Sequence, residues 1–244
     1  MSLSGYTTIT ASGLYTSSTN KMHDLGQPGI TSDGRKYRYC KSGGAVLVTG
    51  DCYSSAAQDA QFEAMAIQAN AAIGATSISI TIGTTTVAAN DFDEGYLMVA
   101  SGTGIGQSSK IASHGTGTSG QTVVFEIEDP LKVALTTAGS STLTVVKNPY
   151  DDVVIQNATP VAQTAGIAQF AIPTTEFGWI QTGGPAACLW DNVATTVELL
   201  SVGASTTTNG AVTLVTTSNT AQIGISMHVV SVSTEVSPVF LTID

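Results

Sequence analysis

Charge is scarce in this chain. Only 11% of its 244 residues are Asp, Glu, Lys or Arg, against about 25% in an ordinary soluble domain. The shortage is worse for one sign: 8 basic residues face 18 acidic ones, giving a formal net charge of −10, and no Lys or Arg follows Lys147. Nucleic-acid binding draws most of its affinity from Lys and Arg neutralising phosphates, so this balance argues against a nucleic-acid partner. Cysteine is equally sparse. Cys40, Cys52 and Cys188 are an odd number without metal-ligand spacing, so buried free thiols are expected rather than a disulfide framework or a zinc site. No stretch approaches the ~20 apolar residues of a membrane span. The opening Met1-Ser2-Leu3-Ser4-Gly5-Tyr6 carries neither the basic nor the apolar region of a secretory signal. A soluble chain made in a cytoplasm, without a membrane partner, is the expectation.

Reactive constellations are missing too. His23, His114 and His228 are far apart and none has an Asp, Cys or second His beside it, so a metal triad or a Ser-His-Asp set would have to be assembled from remote residues. No G-x-S-x-G elbow is present. Gly102-Thr103-Gly104-Ile105-Gly106 fits neither the dinucleotide fingerprint nor a phosphate loop, because no helix pattern and no Gly-Lys-Ser/Thr follows it. Asp91-Phe92-Asp93-Glu94-Gly95 has an early glycine and lacks the distal glutamate of a calcium loop, so it reads as a turn. The expectation is a protein without catalytic residues, metal or cofactor.

What fills the chain is β pattern. Tyr37 and Tyr39 alternate with basic residues over 35–41, after the turn signal Asp33-Gly34. Ile78, Ile80 and Ile82 alternate with polar residues, and Val123, Phe125 and Ile127 do the same between Thr122 and Glu128. Further strands are predicted at 96–100, 109–113, 143–147, 153–156, 166–172, 177–182, 186–190, 197–202 and 211–216. Ile223, Ile225, Met227 and Val229 alternate until the phase flips at Val229-Val230, where a β-bulge is expected. Val239, Leu241 and Ile243 tie the end of the chain into a sheet. One helix is predicted, over 55–72, from Ser54 or Ser55 as cap and from Phe62, Met65, Ala66 and Ala69 at spacings of three and four.

The fold class expected is mainly β: antiparallel sandwich or barrel modules with one short helix and an extended N-terminal arm. The arm covers 1–30 and orders only against a partner or the domain body. A β-hairpin and the helix at 31–74 belong to the main domain, a small barrel or sandwich module occupies 75–147, and the main β domain fills 148–244.

Two clusters are candidate binding residues. Lys21, Arg35, Lys36, Arg38 and Lys41 gather five of the eight basic residues in one short stretch, as for docking on an acidic protein surface. Phe177, Trp179 and Trp190 flank Gly183-Gly184-Pro185, read as a bend, and are expected in a β core or subunit interface.

Several segments also resemble, in their order and spacing, a group of tailed-bacteriophage virion proteins that decorate or cement the capsid. They are His23-Asp24-Leu25-Gly26, Thr31-Ser32-Asp33-Gly34-Arg35-Lys36-Tyr37-Arg38-Tyr39, Lys110-Ile111-Ala112-Ser113-His114, Asp129-Pro130-Leu131-Lys132-Val133-Ala134-Leu135, Val146-Lys147-Asn148-Pro149-Tyr150, Phe177-Gly178-Trp179-Ile180-Gln181-Thr182-Gly183-Gly184-Pro185-Ala186 and Ser233-Thr234-Glu235-Val236-Ser237-Pro238-Val239-Phe240-Leu241. The resemblance implies a structural virion protein, present in the host cytoplasm during assembly and then on the outer face of the shell. Its partners would be the major capsid protein and other copies of itself, as a homotrimer. It carries over no functional residue. The alternative is a phage tail or receptor-binding protein contacting host glycans. An adhesin domain and a carbohydrate-active enzyme are more distant rivals, opposed by the missing export signal and the missing acid/base set.

Overall fold

The computed structural model describes residues 5–159, 162–191, 200–215, 221–228 and 234–244. The chain is mainly β and divides into two compact units: unit 1 comprises Met1–Ala57 with Pro149–Asp244, and unit 2 is Gln58–Asn148, inserted into the chain of unit 1.

Unit 1 opens with strand β1 (Thr7–Thr8), the short helix α1 (Ala11–Leu14), β2 (Pro28–Ile30), β3 (Lys36–Lys41) and β4 (Cys52–Ser54). Unit 2 supplies β5 (Met65–Ala66), β6 (Ser77–Thr81), β7 (Tyr96–Ser101), β8 (Ser108–His114), β9 (Thr122–Ile127) and β10 (Thr142–Val146). The chain returns to unit 1 as β11 (Val154–Ile155), β12 (Thr164–Ala168), β13 (Phe177–Leu189), β14 (Ser201–Ala204), β15 (Val212–Leu214), β16 (Gln222–Ser226) and β17 (Val236–Thr242).

Unit 2 is a nearly closed barrel in the order β5-β10-β7-β8-β9-β6. The ring is completed where Ile67 bridges Ile80 and Gln68 N donates to Ser79 O at 2.8 Å. Alternation decides which side chains enter: β7, β9 and β10 bury every second residue, and Leu97, Val99, Val123, Phe125, Ile127, Leu143 and Val145 fill the interior.

The predicted helix over 55–72 does not form. Asp59 caps a single 3₁₀ turn, Ala60–Phe62, by accepting from Gln61 N at 2.9 Å. Ala64 then takes a positive φ of 51°, and the chain runs extended. Met65 pairs with Leu143 and Ile67 with Ile80. Burial follows period two at Met65 and Ile67, whereas Ala66 and Ala69 of the supposed stripe are exposed. Closing the barrel buries Phe62, Met65, Ile67 and Ala71 together, which outweighs the intrinsic helix preference of an Ala- and Gln-rich segment. Residues 58–74 therefore belong to the barrel unit, not to the main domain.

Unit 1 is built on the long strand β13. Its first half pairs with β3, from Phe177 opposite Lys41 to Gly183 opposite Lys36, and its second half with β17, from Gly183 opposite Thr242 to Leu189 opposite Val236. The full sheet runs β1-β2-β3-β13-β17-β16-β14-β15, with β12 joining β13 to β4 and β11 beyond it. The Gly183-Gly184-Pro185 bend expected between two strands is a kink inside one. The register shifts between Gln181 and Gly183, and Gly184 sits at φ +82°. The buried Gln181 amide stabilises the kink: Nε2 donates to Gly183 O at 3.0 Å and Pro185 O at 2.8 Å, while Oε1 accepts from the Tyr37 hydroxyl at 3.3 Å. Pairing with β3 has ended by Pro185, so the missing N–H interrupts no ladder on that flank.

The single α-helix among the described residues lies in the N-terminal segment instead, and that segment orders against the domain body. β1 runs parallel to β2, Thr10 caps α1 through a 3.1 Å bond from Gly13 N, and Ile9 and Leu14 pack with Tyr37, Tyr39 and Trp179. In β16, Ile223 and Ile225 do not share a face as their spacing suggests: Ile223 is buried and Ile225 half-buried. The register against β14 shifts between Val202 and Gly203, opposite residues 222–224, and turns Ile223 inward. The bulge expected at Val229-Val230 lies outside the described residues, as does the first half, 197–199, of the strand expected at 197–202.

Candidate interaction surfaces

The basic stretch meets its own acids. Arg35 Nε lies 2.8 Å from Asp33 Oδ2. Arg38 forks onto Asp244, Nε 2.7 Å from Oδ2 and Nη2 3.0 Å from Oδ1. Lys36 Nζ donates to Asp244 O at 3.3 Å, and Lys41 Nζ sits 2.9 Å from Asp152 and 3.4 Å from Asp151. Tyr37 and Tyr39 point inward from the same strand and are buried, Tyr37 completely. The basic asymmetry of the sequence is therefore balanced in space, because acids from far along the chain fold back onto β3. Lys21, upstream of the strand, is exposed.

The electrostatics follow. Burial would raise the Asp244 carboxyl, but hydrogen bonding, above all from Arg38, and the Arg38 and Lys36 charges together outweigh it and hold the group below its ordinary value. For Lys41, burial pulls downward and the bonds to Asp152 and Asp151 prevail, so the ammonium is held above its usual value. Desolvation pushes the Tyr37 and Tyr53 hydroxyls up to about 12.

The three aromatics of the second cluster separate. Trp179 is 6% exposed and packs with Tyr39 (ring centroids 5.1 Å apart), His23 (5.2 Å) and, through Tyr39, Phe177. Trp190 is 1% exposed and belongs to a different cluster, with Cys52, Cys188, Val202 and Val239. Neither indole offers a face to a sugar ring.

The groups with reactive potential are occupied structurally. His114 is buried in the barrel: its Nε2 accepts from Phe92 N–H at 2.9 Å and its Nδ1 faces Gly115 O at 2.9 Å. The tautomer is thereby fixed, with the proton on Nδ1. Asp91 of the turn-like acidic loop pairs with Lys147 at 2.7 Å, and Phe92 between the acids packs into the core. All three cysteines are buried and free; desolvation raises each thiol, Cys52 to about 12. Among the described residues no three His, Cys, Asp or Glu are grouped to hold a metal ion, and no helix is long and apolar enough to cross a membrane.

One surface is apolar where a solvated sheet would be polar. On β17, Val239 and Leu241 point into the core, while Val236 (52% exposed), Pro238 and Phe240 (45%) point out. Register carries the row across neighbouring strands. Phe240 lies between Pro185 and Ile225, Pro238 opposite Ala187, and Val236 opposite Leu189. Met227, 43% exposed, extends it beyond β16. No charged residue interrupts these positions. This row is absent from the sequence-based candidates, though Val236–Leu241 carries a signal for it: the segment is apolar on both parities, whereas a strand with one wet face alternates.

No protein-family model, curated protein or solved structure matches the chain.

Proposed function

We propose that the chain is a decoration protein: it binds the major capsid protein on the outer face of a tailed-phage shell and cements it, as a homotrimer. The observation that carries this reading is the outward apolar row on β13, β17 and β16. A contiguous exposed apolar surface marks contact with another protein, and a sheet that is hydrophobic on both faces needs a cover on its second side. Two of the segments that resemble virion proteins contribute to this surface: Pro185 from the first, and Val236, Pro238 and Phe240 from the last. The mechanism is mechanical. Surface buried across several shell subunits raises the energy of separating them, and three linked docking sites gain effective concentration without any one being strong.

Quantitative mass spectrometry of purified particles whose genome encodes the chain tests the proposal. Copies in the hundreds per particle support a shell component; a handful places the protein in the tail, and none removes it from the virion.

A further inference from the structure

The N-terminal segment is held on unit 1 much as a peptide is held in a groove. Ile9 fills a socket over Gly29 of β2: a Cβ at Gly29 would stand 2.4 Å from Ile9 Cδ1 and 2.7 Å from the Trp179 ring. Only glycine leaves room for both. Ile9 is 6% exposed and Leu14 2%, and they complete the cluster of Tyr37, Tyr39 and Trp179. The backbone contribution is short. Thr7 and Thr8 lie beside Gly29 and Ile30, Ile9 N donates to Ile30 O at 2.9 Å, and Gln27 Nε2 reaches Thr7 Oγ1 at 3.3 Å. The next backbone attachment to the sheet is Ser18, which exchanges two bonds with Phe177. Tyr15 in between is 49% exposed.

We propose that Gly5–Leu14 is an exchangeable strand which, in the self-associated protein, seats in the β2 groove of a second copy of this chain. The socket reads Ile9, Leu14 and the backbone at 7–9, and these are the same on every copy. Contact energy is therefore equal within and between chains, and only the connection through Tyr15–Ser17 and the local concentration decide between them. With Ser18 held on its own sheet and Leu14 seated in the neighbour, the four residue steps between them, at about 3.3 Å each, reach about 13 Å, so exchange occurs between copies whose β2 grooves lie that close. Main-chain bonds at an edge strand supply affinity and the Gly29 socket supplies selectivity, the division of labour of strand addition. The inference rests on the self-association proposed above but not on attachment to a shell.

Thr8→Cys and Ile30→Cys, made on separate copies, test it, since the two positions are register neighbours and the native thiols are buried. The singly substituted chains are mixed at high concentration. One sample is oxidised, and another is labelled with a donor dye on one chain and an acceptor on the other. A disulfide-linked heterodimer is expected, falling about tenfold or more when Ile9→Asp places a carboxylate in the apolar socket, while energy transfer between chains reports association alone. Sedimentation of the same mixture separates the two ideas. An oligomer without the disulfide-linked heterodimer overturns strand exchange and leaves self-association standing; a monomer throughout overturns both.

Discussion

Arg38, on the third strand, grips the carboxylate of Asp244 with two hydrogen bonds of 2.7 and 3.0 Å. The pair joins positions 206 residues apart and fastens the end of β17 beside β3. Their side chains keep 26% and 22% exposure, so water screens the contact. A double-mutant cycle with Arg38→Ala and Asp244→Asn is predicted to show a coupling of about 1 kcal/mol by chemical denaturation. The carboxyl is held below its ordinary value of 3.8, so just below that pH the unfolded chain binds more protons than the folded one. The contribution is accordingly complete above pH 3.8 and lost as the pH falls through the lower, folded value. A coupling unchanged at acid pH would refute the assignment.

His114 shows a side chain with catalytic potential committed to the fold. Replacing it with Leu strands the Phe92 N–H inside the barrel, which costs about 1–3 kcal/mol. Hydrogen exchange, rather than a single global melting curve, is the appropriate measurement, because a chain of two units need not unfold in one step. Amides of residues 58–148 are predicted to lose protection in His114→Leu, while those of β13 and β17 keep theirs. Equal loss in both units would mean that the histidine acts beyond the barrel.

The sequence reading succeeds where one strand face is wet and one is dry. β7, β8, β9 and β10 lie within a residue or two of their expected bounds because Leu97, Val99, Val123, Phe125, Leu143 and Val145 alternate with polar neighbours. It fails where tertiary closure overrides local preference. Residues 55–72 are rich in helix formers, yet a helix there would leave the barrel open between β10 and β6, and Met65 and Ile67 fill that gap as extended chain. Of the candidate sites, the basic stretch and the tryptophans were legible as residues but not as places. The acids that neutralise Arg38 and Lys41 lie more than 100 positions away, and the strand separating Trp179 from Trp190 looked like a bend.

The outward row makes a prediction about assembly. Phe240→Glu and Val236→Glu place charges on a face already in contact with solvent, so the single chain should fold with wild-type circular dichroism and lose no more than about 0.5 kcal/mol. In an interface core the same charges are buried without partners and should weaken self-association or attachment to particles by at least about 2 kcal/mol, roughly thirtyfold. Sedimentation velocity and co-sedimentation with particles read the two effects apart. Ser119→Glu, exposed and outside both the row and the basic stretch, is the matched control. Variants that assemble like wild type would show that this face is not the contact.

Alkali should open the protein by a route its composition hides. Tyr37 and Tyr53 are buried with hydroxyls near 12 instead of 10, and the Cys52 thiol stands near 12 instead of 9. Between each pair of values the unfolded chain has already lost its proton and the folded chain has not. The unfolded state therefore binds fewer protons, and stability falls as the pH rises. The loss begins near pH 9 with the thiols, steepens above 10 with the tyrosines, and amounts to at most roughly 1.4 kcal/mol per pH step for each group. Cys40, Cys52 and Cys188 should ignore a thiol reagent at pH 8 and react together once alkali or denaturant exposes them. The phenolate absorbance of Tyr37 and Tyr53, identified by Tyr→Phe replacement, and thiol release should rise in one step as the fold of unit 1 is lost. Tyr37 or Tyr53 titrating near 10 in the folded protein, or a cysteine labelled at pH 8, would show that these side chains meet water in the native state.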